Sequence, residues 1–151
     1  MALLSVAMND TNLIHSDSWV LISVIYASQN STTAALTDII ASADYLNHAI
    51  ITRNELEIGI AHLVGKGYLR ITSGGLSISD AVKSFWQTTG SKHRQALKAW
   101  DAVAAYIGVP SWSPGPLPYT NEERYVSTAD YEAAVEAYQS RMQPQMKPTK
   151  K

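Results

Sequence analysis

Thr52-Arg53-Asn54-Glu55-Leu56-Glu57-Ile58-Gly59-Ile60-Ala61-His62-Leu63-Val64-Gly65-Lys66-Gly67 is the stretch whose reading decides the fold. A Thr followed three residues later by Glu, just ahead of an apolar run, is a capping box. Each side chain satisfies a backbone N–H that the new helix leaves without a partner. The helix so opened carries Leu56, Ile60, Leu63 and Val64 on one face. It stops at Gly65-Lys66-Gly67, with Gly67 suited to a left-handed C-terminal cap. Gly59 weakens it at mid-length. Just downstream, Tyr68–Thr72 and Leu76–Ser79 alternate apolar and polar residues around a Ser73-Gly74-Gly75 tip, which predicts a hairpin.

Upstream, Thr37 is placed to cap a helix over 38–48, with Asp38 near its positive end. Its inward residues are Ile39, Ile40, Ala43 and Leu46. The connection His48-Ala49-Ile50-Ile51 is short and lacks glycine, and Ile50 and Ile51 are expected to plug the core. Thr32–Leu36 reads as a short strand. Ser16, Asp17 and Ser18 offer capping oxygens ahead of Trp19–Ala27, a run apolar nearly all round and so expected to be a buried helix. That run is far shorter than the ~20 residues a membrane span needs.

After the hairpin, Ser79 or Asp80 caps a helix from Ala81 to about Thr88, carrying Val82, Phe85 and Trp86. Gly90-Ser91 interrupts. A helix from Lys92 to about Ile107 then presents Leu97, Trp100, Val103, Ala104 and Ile107. Ser111–Pro118 is a proline-rich extended arm. Ser127 or Thr128 caps a last helix from Ala129 to about Met142, with Tyr131 and Tyr138 in one stripe. The expected organisation is a loose leader over 1–15, a first domain over 16–80, a helical extension over 81–109, arm and final helix over 110–142, and a disordered tail over 143–151.

Composition narrows the function. A chain of 151 residues is one domain, or a small domain with an appendage. The absence of cysteine excludes disulfides, thiolate metal sites and a cysteine nucleophile. The first residues lack the basic start of a signal peptide, so a cytoplasmic location is expected. Net charge is −1. Between His15 and Asp80, however, Arg53, Lys66 and Arg70 stand against Asp17, Asp38, Asp44, Glu55, Glu57 and Asp80. That balance predicts weak non-specific affinity for nucleic acid. Gly65-Lys66-Gly67 follows a helix instead of opening one, so its N–H groups do not cradle a phosphate. With no nucleophile elbow and no dinucleotide fingerprint either, neither enzymatic activity nor a cofactor is expected. His48 and His62 lack ligand spacing, so no metal is expected.

Through Leu36-Thr37-Asp38-Ile39-Ile40, Asn54-Glu55-Leu56 and His62-Leu63-Val64-Gly65-Lys66-Gly67-Tyr68-Leu69, the region from Trp19 to Ser79 resembles the winged helix-turn-helix domains of small bacterial transcription regulators. The resemblance implies a mostly α (α+β) fold: a winged helix-turn-helix with a short hairpin wing, followed by additional C-terminal helices. It implies that the third helix enters the DNA major groove while the wing touches backbone or minor groove. Carried onto this sequence, Arg53, Asn54, Glu57 and Ala61 or His62 face the groove, Arg53 suited to guanine and Asn54 to adenine. Thr32, Thr33 and Thr37 reach phosphates, and Lys66 and Arg70 complete the DNA-binding set. Phe85, Trp86, Trp100, Tyr106 and Trp112 pack on this domain or cross a dimer interface. The expected function is a DNA-binding transcriptional regulator acting as a homodimer on double-stranded DNA, with no membrane partner. The alternative is a module that binds a protein partner and not DNA. A basic surface formed by the helix N-terminus with C-terminal Lys and Arg of a partner subunit would support DNA binding, and without it the acidic balance favours protein.

Overall fold

The computed structural model describes residues 13–110 and 117–146. Three helices come first: α1 (His15–Ala27), α2 (Leu36–Asn47) and α3 (Arg53–Gly65). A hairpin of β1 (Leu69–Thr72) and β2 (Gly75–Ile78) follows, then α4 (Asp80–Thr88), α5 (Ala96–Ile107) and α6 (Thr128–Met146). The chain is thus mostly α with a small β wing after three helices, a layout compatible with a winged-helix-like fold. The leader before residue 13, most of the proline-rich arm with Trp112, and the end of the tail lie outside the described residues. No described helix is long and apolar enough to cross a membrane.

α1 is central because it is apolar on every side. Val20, Leu21, Ile22, Val24 and Ile25 are fully buried, with α2, α3 and α5 packed around them. Its start departs from the sequence expectation. Ser16, Asp17 and Ser18 lie inside the first turn instead of ahead of it. Asp17 Oδ2 reaches back to accept the Ile14 N–H at 2.8 Å. Ser18 Oγ donates to the His15 carbonyl at 2.6 Å and accepts from Trp100 Nε1 at 2.8 Å, so its polarity is satisfied within the core.

α2 also starts early. Ala35 precedes it without a side-chain cap, and Thr37 lies within the helix. Ile39, Ile40, Ala43 and Leu46 are buried as expected. His48 takes the left-handed cap that glycine usually fills, at φ 56°. Only Ile51 plugs the core, and Ile50 is 37% exposed, because consecutive residues in an extended connection point to opposite sides.

Thr52 and Glu55 close the capping box: Thr52 Oγ1 accepts the Glu55 N–H at 3.1 Å and Glu55 Oε1 accepts the Thr52 N–H at 2.9 Å. Gly59 has a packing reason. A Cβ there would stand 2.6 Å from Cγ2 of the fully buried Val20, so glycine lets α3 approach α1 closely.

The wing strands pair antiparallel from Leu69↔Ile78 to Thr72↔Gly75. The strand expected at 32–36 shrinks to one bridge, in which Ala34 and Leu76 exchange hydrogen bonds of 2.7 and 3.0 Å. At Gly75 any Cβ would lie 2.0 Å from the Ala34 carbonyl oxygen, so that bridge requires glycine.

Farther on, Ser79 caps α4 by accepting the Val82 N–H at 3.2 Å. α5 begins at Ala96, after a short 3₁₀ turn over Gly90–Lys92. Leu97 then falls in its first turn at the edge of the buried stripe and is 63% exposed, while Trp100, Val103, Ala104 and Ile107 are buried. α6 runs to Met146, past the end expected near Met142.

Gly59→Ala should lower stability by about 1–3 kcal/mol through overpacking, outweighing a helix-propensity gain of at most about 1 kcal/mol. Urea denaturation reads this directly, and a net stabilisation would refute the close-approach account.

Candidate functional site on helix α3

The capping box fixes where α3 begins, so helical spacing puts Arg53 and Glu57 on one face with Asn54 beside them. That face is turned toward the chain's own residues 118–126. Arg53 Nη1 donates to the carbonyls of Glu122 and Val126 at 2.9 and 2.7 Å, and Nη2 to that of Thr120 at 3.3 Å. Asn54 Nδ2 donates to the Pro118 carbonyl at 2.8 Å, while its Oδ1 accepts the Thr120 N–H at 2.9 Å. Glu57, 3% exposed, takes three successive backbone N–H groups. Arg124 donates to Oε2 at 3.1 Å, and Tyr125 and Val126 donate to Oε1 at 3.0 and 2.9 Å.

Every partner in this set is main chain. The guanidinium fork gathers carbonyls, the amide pairs with one donor and one acceptor, and the carboxylate sits in a nest of amides. Arg53 lies 3.8 Å from Glu57, so the two charges also balance each other. What α3 reads here is the path of a backbone.

α6 continues the cover. Tyr131 Oη donates to the Ile51 carbonyl at 2.6 Å, Tyr138 Oη to Asp44 Oδ2 at 2.5 Å, and Arg141 Nη1 to Asp38 Oδ1 at 3.1 Å. The Glu123 carboxylate, held below its ordinary range by hydrogen bonds from Thr128, accepts both the hydroxyl and the N–H of that residue as α6 begins. Residues 118–146 therefore lie across α2 and α3.

Of the remaining residues expected at a DNA interface, Ala61 and His62 share a small cleft with Glu57, and the others are dispersed. His62 Nδ1 is 2.9 Å from Oδ2 of the fully buried Asp17, tying α3 to α1. Lys66 is exposed at the far end of α3, roughly 20 Å along the helix from Arg53. Arg70 reaches the Ile78 carbonyl at 3.4 Å and Asp80 at 3.9 Å, and shares a polar cleft with Thr32. Thr33 Oγ1 meets Thr72 Oγ1 at 3.2 Å, and Thr37 borders a cavity between the wing and α6. Arg53, Asn54 and Glu57 come together; Lys66, Arg70, Thr32 and Thr33 do not join them.

The aromatic residues of the extension lie against helices of the same chain. Trp100 stacks with His15 and Trp19 at 5.4 and 6.2 Å, Phe85 with Tyr106 at 4.2 Å, and Trp86 meets Tyr26 edge-on at 5.7 Å. Among the described residues no group of three or more His, Asp or Glu side chains is arranged to hold a metal. Sequence reasoning missed the backbone of 118–126 and the roles of Asp38, Asp44 and Arg141. Only the Tyr131 and Tyr138 stripe hinted at them.

Fold and site together describe a helix-rich chain with a two-stranded hairpin after three helices, compatible with a winged-helix-like fold, whose α3 face is held by its own C-terminal segment. Compared with family models, curated proteins and solved structures, the chain matches none of them.

Two outcomes follow from this geometry. Glu57→Ala should cost on the order of 3 kcal/mol by orphaning backbone N–H groups, and amide hydrogen exchange should accelerate first at 124–126. Unchanged protection there would show that the carboxylate does not hold the segment. The Tyr138 phenol is pushed up to about 12, first by its hydrogen bond to Asp44 and then by burial. An unfolded tyrosine ionises near ~10. Its contribution is thus complete below that pH and is lost as pH rises through the folded value. Tyr138→Phe should remove this alkaline component from a stability–pH profile, and identical profiles would refute the assignment.

Proposed function

We propose that this chain is a winged-helix protein-interaction module, in which the helix that DNA-binding members of the fold lay in the major groove serves as a receptor for protein main chain. One observation carries the reading: Arg53, Asn54 and Glu57 are all engaged with the backbone of residues 118–126. Duplex DNA on this face would have to displace that segment, leaving the Glu57 carboxylate against phosphates. The acidic balance between His15 and Asp80 works in the same direction, since it removes the counterion-release term that drives non-specific binding. The tip Ser73-Gly74-Gly75 carries no cation, which leaves Arg70 on β1 as the base of the wing, and Arg70 lies 3.9 Å from Asp80.

The test is fluorescence polarisation of the full chain against a randomised duplex pool, at low and at moderate salt. The expected result is no salt-dependent binding up to the ~10–100 μM at which non-specific contact ordinarily appears. Salt-dependent binding that enriches a two-fold-symmetric site would overturn the proposal and establish a dimeric regulator.

A further inference from the structure

Residues 118–126 are bonded to α3 through their main chain, while most of their side chains face solvent. Tyr119 is 77% exposed, and Asn121, Glu122, Glu123 and Arg124 are exposed as well. Two of the side-chain bonds stay within the stretch: Tyr119 Oη donates to Asn121 Oδ1 at 2.7 Å, and Thr120 Oγ1 accepts the Glu122 N–H at 3.0 Å. Val126, 2% exposed, is its buried anchor. A stretch with one buried anchor and solvent-exposed hydrogen bonds opens locally at less cost than the core. The site it covers is closed by that stretch alone, and opening it leaves unmet demands. The Glu57 carboxylate loses three amide donors and the Arg53 guanidinium its carbonyls. Whatever takes the place of the stretch must again supply both. A polypeptide main chain does so, whereas a phosphate backbone offers acceptors and no N–H.

We propose that this face exchanges residues 118–126 for a linear segment of a partner protein that follows the same main-chain path. The inference rests on the protein-interaction reading above and adds what the partner must look like. Its segment needs free N–H groups at the places of Thr120, Arg124, Tyr125 and Val126, so proline is excluded at those four. It needs a small aliphatic side chain at the place of Val126, to refill the core. At the places of Tyr119 and of residues 121–124 the side chain is free to vary, because those side chains face solvent. The chain's own segment is a tethered competitor, present at an effective concentration of about millimolar. A partner therefore gains access when the tethered segment is loosened.

The probe is a fluorescein-labelled peptide of residues 117–128, titrated by fluorescence polarisation against the full chain carrying Val126→Asp. That substitution puts a charge where the anchor sits and loosens the tethered segment. The peptide should bind this chain about tenfold or more tightly than it binds the wild-type chain. A peptide with alanine at 119 and 121–124 should bind within about threefold of the unaltered one. A peptide with Tyr125→Pro should bind about tenfold or more weakly, since one amide to Glu57 is gone. If the alanine peptide fails as the proline peptide does, α3 reads side chains and the proposal is overturned. The wild-type chain gives a second readout that needs no variant to fold. Unlabelled peptide at millimolar concentration should accelerate amide exchange at the chain's own residues 124–126, and unchanged exchange there overturns the proposal. The Val126→Asp chain is also titrated with the randomised duplex pool. Binding of neither peptide nor DNA overturns the exchange alone. Salt-dependent DNA binding without peptide binding overturns the protein-interaction reading with it.

Discussion

A carboxylate removed from water is tolerated only where fixed donors replace its hydration, and Glu57 imposes that requirement on everything around it. It sits in the middle of α3, 3% exposed, where solvent cannot solvate it. Three consecutive amides, from Arg124 to Val126, supply the donors. They converge only if the backbone turns tightly there, and the turn is held from the other side by Arg53 gathering carbonyls. Once Val126 is placed, α6 must begin close by. Tyr131 and Tyr138 then fall on the α2–α3 connection and on α2 itself. One buried charge thus propagates into the position of the C-terminal quarter of the molecule.

The same donor and acceptor sets explain why this face invites two readings. A side-chain amide that pairs with the N6 and N7 edge of adenine offers one donor and one acceptor. Asn54 offers that pair to the Pro118 carbonyl and the Thr120 amide. A guanidinium that grips guanine through two acceptors grips peptide carbonyls equally well. Glu57 separates the cases. A carboxylate is repelled by a phosphate backbone and complementary to a nest of amides, so its burial beneath Arg53 favours protein over nucleic acid as what this face holds.

Much of the fold could be read from local chemistry. The capping box at Thr52 and Glu55 depends on residues three apart, and it forms as read. The wing depends on alternation and a glycine tip, and it pairs as read, although its third strand narrows to the Ala34 bridge. At two points a distant residue intervenes. The sequence offers Asp17 as a cap ahead of α1, but it lies within the first turn, held there by the Ile14 amide and by His62 from α3. Gly59 looked like a weakness and is instead the point where α3 meets Val20.

The site was far less legible, for a physical reason. Side-chain pairs leave complementary letters in a sequence, whereas a side chain bonded to main chain leaves none, because every residue carries the same amide. Arg53, Asn54 and Glu57 could be singled out as polar residues on the exposed face of a capped helix. That their partners were Pro118, Thr120, Glu122 and the amides of 124–126 could not. By itself, then, the sequence determined the order of the helices, the caps of α3 and α4 and the hairpin, since these rest on periodicity and on hydrogen bonds between near neighbours. Only the tertiary structure decided what lies on α3, because that choice is made by backbone groups more than sixty residues away, brought together by burying Glu57.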